Sequence, residues 1–281
     1  MRYRNHAISR LTSFKNEGLV GSVSVFDNID SLRSFLKQGV PFYTLGKGSN
    51  VVINPDSSIR HFIKISPDYM APCHDQTCLT ASAGTSVNEL MNWSKAYSLS
   101  GLSFMAGVPA SLGGMIAMNF GCWGQEIGAV LEHVDAMDET GGVFRLTPEE
   151  CEFGYRSSIF QRRSWIILSA GLSLVSSCSD SVKQEIHAAI KRRSAVQPLR
   201  RPTFGSIFKN PNGFFAAQMI DNLRLKGHQQ GGAMISKQHA NFMINRGGAT
   251  YTDVVQLIQD IKSRVKEKHN IELQEEVQLL A

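Results

Sequence analysis

The sequence predicts an α+β protein in which strand and helix patterns are mixed within each part of the chain. A length of 281 residues with 42% hydrophobic content is enough for two or three compact units, each with a modest core. The glycine-rich segments match neither the GxGxxG nor the Walker pattern, which makes a Rossmann or P-loop fold a weak alternative.

We predict a first domain over residues 1–66. Residues 22–26 have the pattern of a short strand, and an amphipathic helix follows that ends near Gly39. Further strands are predicted at residues 41–45, 51–53 and 59–65.

The second predicted domain covers residues 67–192. A strand at residues 78–82 precedes a helix whose capping box is formed by Ser86 and Glu89, and we expect this helix to end at Gly101. The elements after it are a hairpin turning at Gly141 and Gly142, a strand at residues 165–169 and a helix containing Val182 and Ile186.

The third predicted domain covers residues 193–270. A final strand at residues 271–279 is too short to stand alone, so we expect residues 271–281 to join an earlier sheet and complete the first domain. The other predicted elements are helices at residues 214–223 and 253–268 and strands at residues 233–236 and 242–245.

The net charge of +5 is concentrated in one segment that holds six basic residues and no acidic one. These residues are Lys191, Arg192, Arg193, Arg200, Arg201 and Lys209. Such a segment is often only a solvated face. Because no RRM, KH or zinc-finger signature is present, the segment favours a small polyanion such as a diphosphate over nucleic acid.

Other features narrow the class of protein. No apolar stretch suggests a membrane span or a signal peptide, so we expect a cytoplasmic protein. The five cysteines are irregularly spaced, which predicts reduced thiols. Their spacing matches no zinc finger or ribbon, and we expect no metal site.

The segment GSIFKNP, residues 205–211, brings together a hydroxyl, an ammonium and an amide group on Ser206, Lys209 and Asn210. No GxSxG or SxxK pattern surrounds Ser206, so this serine is better suited to donating a proton than to acting as an activated nucleophile. The alternative interpretation is an ordinary turn.

Two glycine-rich segments let backbone amides approach an anion or a flat ligand. LGKGSN, residues 45–50, places Lys47 between two glycines, which suits a pyrophosphate. GVPASLGGMIAMNFG, residues 107–121, removes side chains around Ser111 and Asn119. The alternatives are a strand-connecting turn for the first segment and tight helix packing for the second.

Six motifs, in order, resemble those of the UDP-N-acetylenolpyruvoylglucosamine reductases, also called UDP-N-acetylmuramate dehydrogenases. They are LGKGSN, GVPASLGG with NFG, FGYRSSIF, GSIFKNP, LKGHQQGGAMISKQHANFMIN and LQEEV. The resemblance implies an FAD-binding fold of the vanillyl-alcohol-oxidase type, with two FAD-binding subdomains and a C-terminal substrate-binding domain. It also implies NADPH-dependent reduction of UDP-N-acetylglucosamine enolpyruvate through non-covalent FAD, in peptidoglycan precursor synthesis and thus in cell-wall growth and division.

The resemblance further assigns roles to individual residues. Ser206 would donate a proton to the substrate carbon, while Arg156 and Glu276 would stabilise the enolate that forms after hydride transfer. The substrate-binding residues would be Tyr155, Lys209, Asn210, Gln238 and His239. The FAD-binding residues would be Gly46, Lys47, Gly48, Ser49, Asn50, Gly107, Pro109, Ser111, Gly113, Gly114, Asn119 and Gly121.

Two details refine these assignments. Strand alternation allows only one of Glu275 and Glu276 to face the site, and the following Val277 favours Glu276. The short chain resembles the type II form of the family, so no capping tyrosine is expected.

Two other functions are compatible with parts of the sequence. An FAD-dependent sugar or alcohol oxidase of the same fold is disfavoured because no histidine or cysteine has the context for covalent flavin attachment. A basic nucleic-acid-binding module leaves the glycine segments unexplained. We expect the partner to be the small-molecule substrate, and the chain to be a monomer or a weak oligomer.

Overall fold

The structure is a computed structural model that describes residues 6–281. The chain forms two compact units, one composed of Met1–Ser22, Gly48–Arg60 and Arg193–Ala281, and the other of Val23–Lys47 and His61–Arg192. We call them the C-terminal unit and the central unit. The three domains predicted from the sequence divide the chain at other residues than these two units, and they stay a prediction.

The central unit is built around a five-stranded antiparallel sheet, with a three-stranded sheet in its N-terminal part. The strands of the larger sheet, in spatial order, are Val143–Leu146, Leu131–Met137, Ile166–Ser173, Cys78–Ser82 and Cys73–Asp75. The smaller sheet contains Ser22–Phe26, His61–Ile65 and Phe42–Thr44. Two short antiparallel pairs complete the unit, Leu99–Ser100 with Val175–Ser176 and Gly121–Cys122 with Gln125–Glu126.

Three helices pack within the central unit, and a fourth runs through its boundary. Their bounds are Ile29–Leu36, Val87–Tyr97, Leu112–Ala117 and Ser179–Val196. The predicted capping box is confirmed, because Ser86 Oγ accepts from Glu89 N and the Glu89 carboxylate accepts from Ser86 N. The predicted end at Gly101 is wrong. The helix stops at Tyr97, since Ser98 takes the left-handed conformation with φ 55°.

The C-terminal unit contains a four-stranded antiparallel sheet and two helices. The strands, in spatial order, are Thr203–Ser206, Phe242–Asn245, Ala233–Ile235 and Gln229–Gln230. The helices are Ala216–Asn222 and Tyr251–His269, and the longer one buries the stripe of Val254, Leu257, Ile258, Ile261 and Val265. A short antiparallel pair joins His6–Ala7 to Leu19–Val20.

The last strand is shorter than predicted. Only Gln278–Leu280 is a strand, and it pairs in parallel with Val51–Ile53, so the prediction that it joins an earlier part of the chain is confirmed. Before it, Glu275 forms an isolated bridge with Phe208, and the amides of Glu276 and Val277 donate to the carbonyl of Ile207. Across residues 6–281, no helix combines the length and apolar character needed to cross a membrane.

Candidate active site

Ser206 is the last residue of the strand Thr203–Ser206, where it pairs with Phe242. The register shifts between Thr203 and Ser206, and Gly205 in this irregularity has φ 86°. Bulges of this kind commonly re-aim a side chain beside an active site. The shift at Gly205 therefore sets the direction of the half-buried Ser206 side chain independently of the strand pleat.

The segment after Ser206 is held from two sides. On one side, Asn241 O accepts from Ile207 N, and the Asn241 side chain bonds to both backbone groups of Phe208. On the other side, Glu276 N donates to Ile207 O at 2.9 Å, and Lys209 N donates to the carbonyl of the residue before Glu275. Ser206 and Glu276 thus belong to one hydrogen-bonded substructure of the C-terminal unit.

The two adjacent glutamates have different surroundings. The Glu275 carboxylate lies 2.9 Å from Lys262 Nζ on the helix Tyr251–His269, and both side chains are largely buried. The Glu276 carbonyl accepts from Asn50 Nδ2 at 2.9 Å. Glu275 thus has an ion-pair partner on this helix, and the role of Glu276 at the site stays a prediction.

The predicted substrate residues of the C-terminal unit also have local partners. Asn210 Oδ1 accepts from the first amide of the helix Ala216–Asn222, and Gln238 Nε2 donates to the carbonyl of Ser194 at 2.9 Å. His239 Nδ1 accepts from Asn241 N at 3.2 Å. Burial lowers the pKa of His239, the Lys226 charge lowers it further, and Asp221 partly opposes both. Lys209 is half-buried.

The predicted catalytic arginine lies in the central unit, in the turn after Gly154. Arg156 has φ 53°, an uncommon conformation for a residue with a side chain. Its guanidinium donates to Gly121 O at 2.8 Å and lies 5.7 Å from the Phe120 ring centre and 5.3 Å from that of Tyr155. These contacts hold the cation over aromatic faces. The Tyr155 ring itself is 49% exposed.

Gly46 and Ser111 form a cradle in the central unit. A Cβ on Gly46 would overlap Ser111 Oγ, so only glycine fits there. Ser111 is buried before the helix Leu112–Ala117, and its hydroxyl has no hydrogen-bond partner among the described residues. The neighbouring Thr85 hydroxyl is also buried and lacks a partner there. Orphaned hydroxyls of this kind suit a ligand with acceptor oxygens.

Several other predicted cofactor residues have structural roles. A Cβ on Gly113 would lie 2.9 Å from Ala83 Cβ, and one on Gly121 would lie 2.7 Å from Glu126 Cγ. Asn119 uses its whole amide, donating to Glu126 and Gly154 and accepting from the amide of Gly128. Close packing explains the two glycines, and hydrogen bonds within the protein explain Asn119, without a ligand.

Most of the remaining predicted cofactor residues lie in loops. Gly107 has φ 81°, and Pro109 is exposed. Gly114 lies in the helix Leu112–Ala117, where an added Cβ would be 3.4 Å from Ser111 Oγ. In the C-terminal unit, a Cβ on Gly48 would overlap the Leu11 carbonyl oxygen. Ser49 and Asn50 are half-buried just before the strand Val51–Ile53.

A second lysine, Lys64, interacts with Lys47 of the first glycine loop, and the sequence does not mark it. Burial lowers the pKa of Lys64, and the charge of Lys47 lowers it further. Two cations that disfavour each other form an environment in which an anion is stabilised. The strand alternation of His61–Ile65 gave no signal for this role, because a lysine on a strand is normally read as a solvent-facing residue.

Comparisons with known proteins identify the family. The FAD binding domain matches residues 20–147, and the C-terminal domain of UDP-N-acetylenolpyruvoylglucosamine reductase matches residues 197–280. A UDP-N-acetylenolpyruvoylglucosamine reductase of Caldanaerobacter subterraneus is 36% identical over 99% of this chain and 93% of its own. The chain belongs to the UDP-N-acetylenolpyruvoylglucosamine reductase family. The resemblance inferred from the six motifs is therefore confirmed.

Other relatives agree with this assignment. A UDP-N-acetylenolpyruvoylglucosamine reductase of Syntrophomonas wolfei is 36% identical over 98% of this chain and 94% of its own. The crystal structure of the reductase from Thermus caldophilus has a TM-score of 0.86 and 29% identity, covering 100% of both chains. The predicted α+β FAD-binding fold is thus confirmed, and FAD and NADPH are the family's cofactors. Residues 6–281 contain no cluster of side chains suited to a metal ion.

Proposed function

We propose that this chain reduces the enolpyruvyl group of a UDP-linked N-acetylglucosamine to the lactyl group of UDP-N-acetylmuramate. The supporting observation is the family match over nearly the whole chain, 36% identical over 282 residues. The activity belongs to peptidoglycan precursor synthesis. Neither the oxidase nor the nucleic-acid-binding alternative has support from the family matches.

The residues of the central unit fit a bound FAD. The orphaned hydroxyl of Ser111 needs a partner that the described residues do not supply, and Gly46 leaves space for this hydroxyl. Lys47 and Lys64 supply positive charge in the same unit. Bound there, FAD would supply hydride transfer from NADPH to the enolpyruvyl methylene carbon of the substrate.

Ser206 completes the reduction by proton donation. Hydride addition to the methylene carbon leaves an electron pair on the neighbouring carbon and its carboxylate. The Ser206 hydroxyl donates its proton to that carbon, which becomes the CH of the lactyl group, and the serine recovers a proton from water. A positioned general acid of this kind typically contributes about 10²–10⁴ in rate.

Arg156 and Glu276 stabilise the enolate before the proton arrives. A guanidinium cannot lose its proton, so it disperses the developing negative charge throughout the step. The contact of Arg156 with Gly121 O fixes one of its nitrogens and orients the planar group. A protonated Glu276 carboxyl would donate a second hydrogen bond to the same charge.

The substrate diphosphate and base would bind along the segment after Ser206. Lys209 lies three residues beyond Ser206, and Asn210 is fixed by its bond to the amide of Ala216. Two phenylalanines follow, Phe214 at 54% exposure and Phe215 at 66%. Exposed aromatic faces next to a cation suit a stacked nucleobase above a phosphate. The sequence predicts a helix over residues 214–223, but the helix begins at Ala216, so both phenylalanines precede it.

The decisive experiment separates the two half-reactions. Under anaerobic conditions, NADPH should bleach the flavin absorbance, and UDP-N-acetylglucosamine enolpyruvate should restore it with stoichiometric formation of UDP-N-acetylmuramate. UDP-N-acetylglucosamine without the enolpyruvyl group is the matched control and should leave the flavin reduced. Restoration only by oxygen would contradict the reductase and favour an oxidase.

We further propose that the FAD is non-covalent and that the chain acts in the cytoplasm as a monomer or weak oligomer, without nucleic acid. Acid precipitation should release the flavin into the supernatant. Light scattering across a concentration series would give the mass of the holoenzyme. A flavin retained in the pellet would contradict non-covalent binding. A mass of at least twice 31.0 kDa that does not change with concentration would contradict a monomer or weak oligomer.

A further inference from the structure

We propose that Asn241 is a positioning residue for the reaction, which fixes the Ser206 hydroxyl by binding the backbone of the two residues that follow it. The inference rests on the proposed function, because it takes Ser206 as the proton donor. Asn241 lies in SKQHANF, a motif in which only Gln238 and His239 were predicted as substrate-binding residues.

Asn241 makes three hydrogen bonds to this backbone. Its carbonyl accepts from Ile207 N at 2.9 Å, its Oδ1 accepts from Phe208 N at 3.0 Å, and its Nδ2 donates to Phe208 O at 2.8 Å. The side-chain amide therefore acts as a neighbouring strand would, pairing with both groups of one residue. Asn241 is 4% exposed, so water cannot easily take over these bonds.

The bonds occur where regular pairing ends. The strand Thr203–Ser206 stops at Ser206, and the shifted register at Gly205 leaves the local backbone less constrained than in a regular ladder. Ile207 and Phe208 are 0% and 1% exposed. Without Asn241, both backbone groups of Phe208 would lose these buried partners, and the segment would shift to find others.

The loop that presents Asn241 is itself rigidly bonded. Ser236 Oγ accepts from the amides of Gln238 and His239, and Ser236 N donates to the carbonyl of Phe242. His239 Nδ1 accepts from Asn241 N, so the backbone of Asn241 is fixed as well as its side chain. A rigid loop transmits its position to Ser206, whereas a flexible one would not.

The first test is a double-mutant cycle with Ser206. Asn241→Ala should slow re-oxidation of the flavin by the enolpyruvyl substrate about tenfold to hundredfold, as expected for displacement of a reacting group by about 1 Å. Reduction by NADPH should change less than about twofold. In a Ser206→Ala background, Asn241→Ala should slow re-oxidation no further, because the positioned group is already absent.

Asn245 provides a matched control at the end of the strand Phe242–Asn245, which follows Asn241. It is similarly buried, at 7% exposure, and its Nδ2 donates to the carbonyls of Phe14 and Lys15. Asn245→Ala should lower the melting temperature while leaving re-oxidation per bound flavin unchanged. Equal slowing by both alanine variants, or slowing by Asn241→Ala that adds fully to that of Ser206→Ala, would overturn the proposal.

A second variant tests the Nδ2 donor with little change of shape. In Asn241→Asp, a protonated carboxyl can donate to Phe208 O, whereas a carboxylate would repel it. The re-oxidation rate of this variant should fall as the pH rises through the pKa of the new carboxyl, a dependence absent from the wild type. A rate of Asn241→Asp that follows the wild-type pH profile would contradict the positioning role.

Deuterium exchange separates this proposal from the proposed function. In Asn241→Ala, the amide of Phe208 should exchange at least tenfold faster, whatever the role of Ser206, because only this amide bonds to the Asn241 side chain. If Ser206→Ala fails to slow re-oxidation, the proton-donor assignment fails, although the exchange result can still support the link between Asn241 and this segment. Unchanged exchange would overturn the link itself.

Discussion

Two regions of the molecule prepare a site in opposite ways. Around Gly46 in the central unit, the absence of a side chain leaves room for the Ser111 hydroxyl, which has no hydrogen-bond partner among the described residues. Around Ser206 in the C-terminal unit, almost every backbone group is engaged, and Asn241 adds a side chain to secure Phe208. We expect a ligand to complete the first region, whereas the second is already hydrogen-bonded without one.

This difference teaches which mutations should affect which half of the reaction. Added bulk should damage the glycine region, because a side chain at Gly46 would displace the Ser111 hydroxyl. Removal of a functional group should damage the Ser206 region, because its function depends on a fixed donor.

The largest effect is expected from Ser206→Ala. Re-oxidation by the enolpyruvyl substrate should slow by about 10²–10⁴, while reduction by NADPH stays near normal, since only the former needs the proton. Stopped-flow absorbance measures both steps. Ser263→Ala, at an exposed position of the helix Tyr251–His269, is the control. Equal slowing of the two steps would reassign Ser206 to flavin positioning.

Arg156→Ala should be more harmful than Glu276→Gln. Loss of the guanidinium leaves the enolate charge unmatched, whereas the glutamine amide still donates a hydrogen bond. The order of the two re-oxidation rates is the measurement. A glutamine variant slower than the alanine variant would identify Glu276 as a proton donor.

Gly46→Ala should sharply reduce the FAD content of the purified protein, because the added methyl group overlaps Ser111 Oγ. Flavin absorbance per protein gives the occupancy. In Gly46→Ala with Ser111→Ala, the overlap disappears, so occupancy should recover to the level of Ser111→Ala alone. Full occupancy in Gly46→Ala would show that this glycine region does not contact the cofactor.

Lys209→Met should raise the Michaelis constant for the UDP-sugar roughly tenfold, about 1.4 kcal/mol, with little change in reduction by NADPH. Wild-type affinity should also weaken with salt, because partly exposed charges are screened. Lys268→Met, on an exposed position of the same unit, is the control. If the affinity for the UDP-sugar is unchanged in Lys209→Met, and the wild-type affinity does not depend on salt, the basic segment is only a solvated surface.

The smallest effect concerns His239, whose pKa is lowered by burial. The unfolded chain binds more protons at this position, so stability is full above about pH 6.5 and falls as the pH decreases through the lower folded pKa. His239→Gln should flatten this decrease in melting temperature, and His187→Gln, an exposed control, should not. Identical pH dependence in wild type and His239→Gln would contradict the assignment.

Much of the fold was predictable because local patterns determined it. The capping box at Ser86 and Glu89 and the buried stripe of the helix Tyr251–His269 follow from residue type and spacing. The irregular stretch before Gln278–Leu280 was not predictable, because its partners at Ile207 and Lys209 are distant in sequence.

For the candidate site, too, features with a local sequence signal were predictable and long-range contacts were not. Glycines mark the predicted cofactor region directly, although packing accounts for Gly113 and Gly121. The role of Asn241 gave no local signal, since its side chain bonds to a residue 33 positions earlier. Lys64 was missed for a related reason, because its proximity to Lys47 arises only when the strands are assembled.

The pairing of Gln278–Leu280 with Val51–Ile53 has a consequence for synthesis. The ribosome releases residues 48–60 early, yet they cannot complete their parallel ladder until residues 278–280 have emerged. During most of translation, the backbone groups at the edge of Val51–Ile53 therefore lack their strand partner. We expect nascent chains stalled before residue 278 to expose this edge and to depend on chaperones.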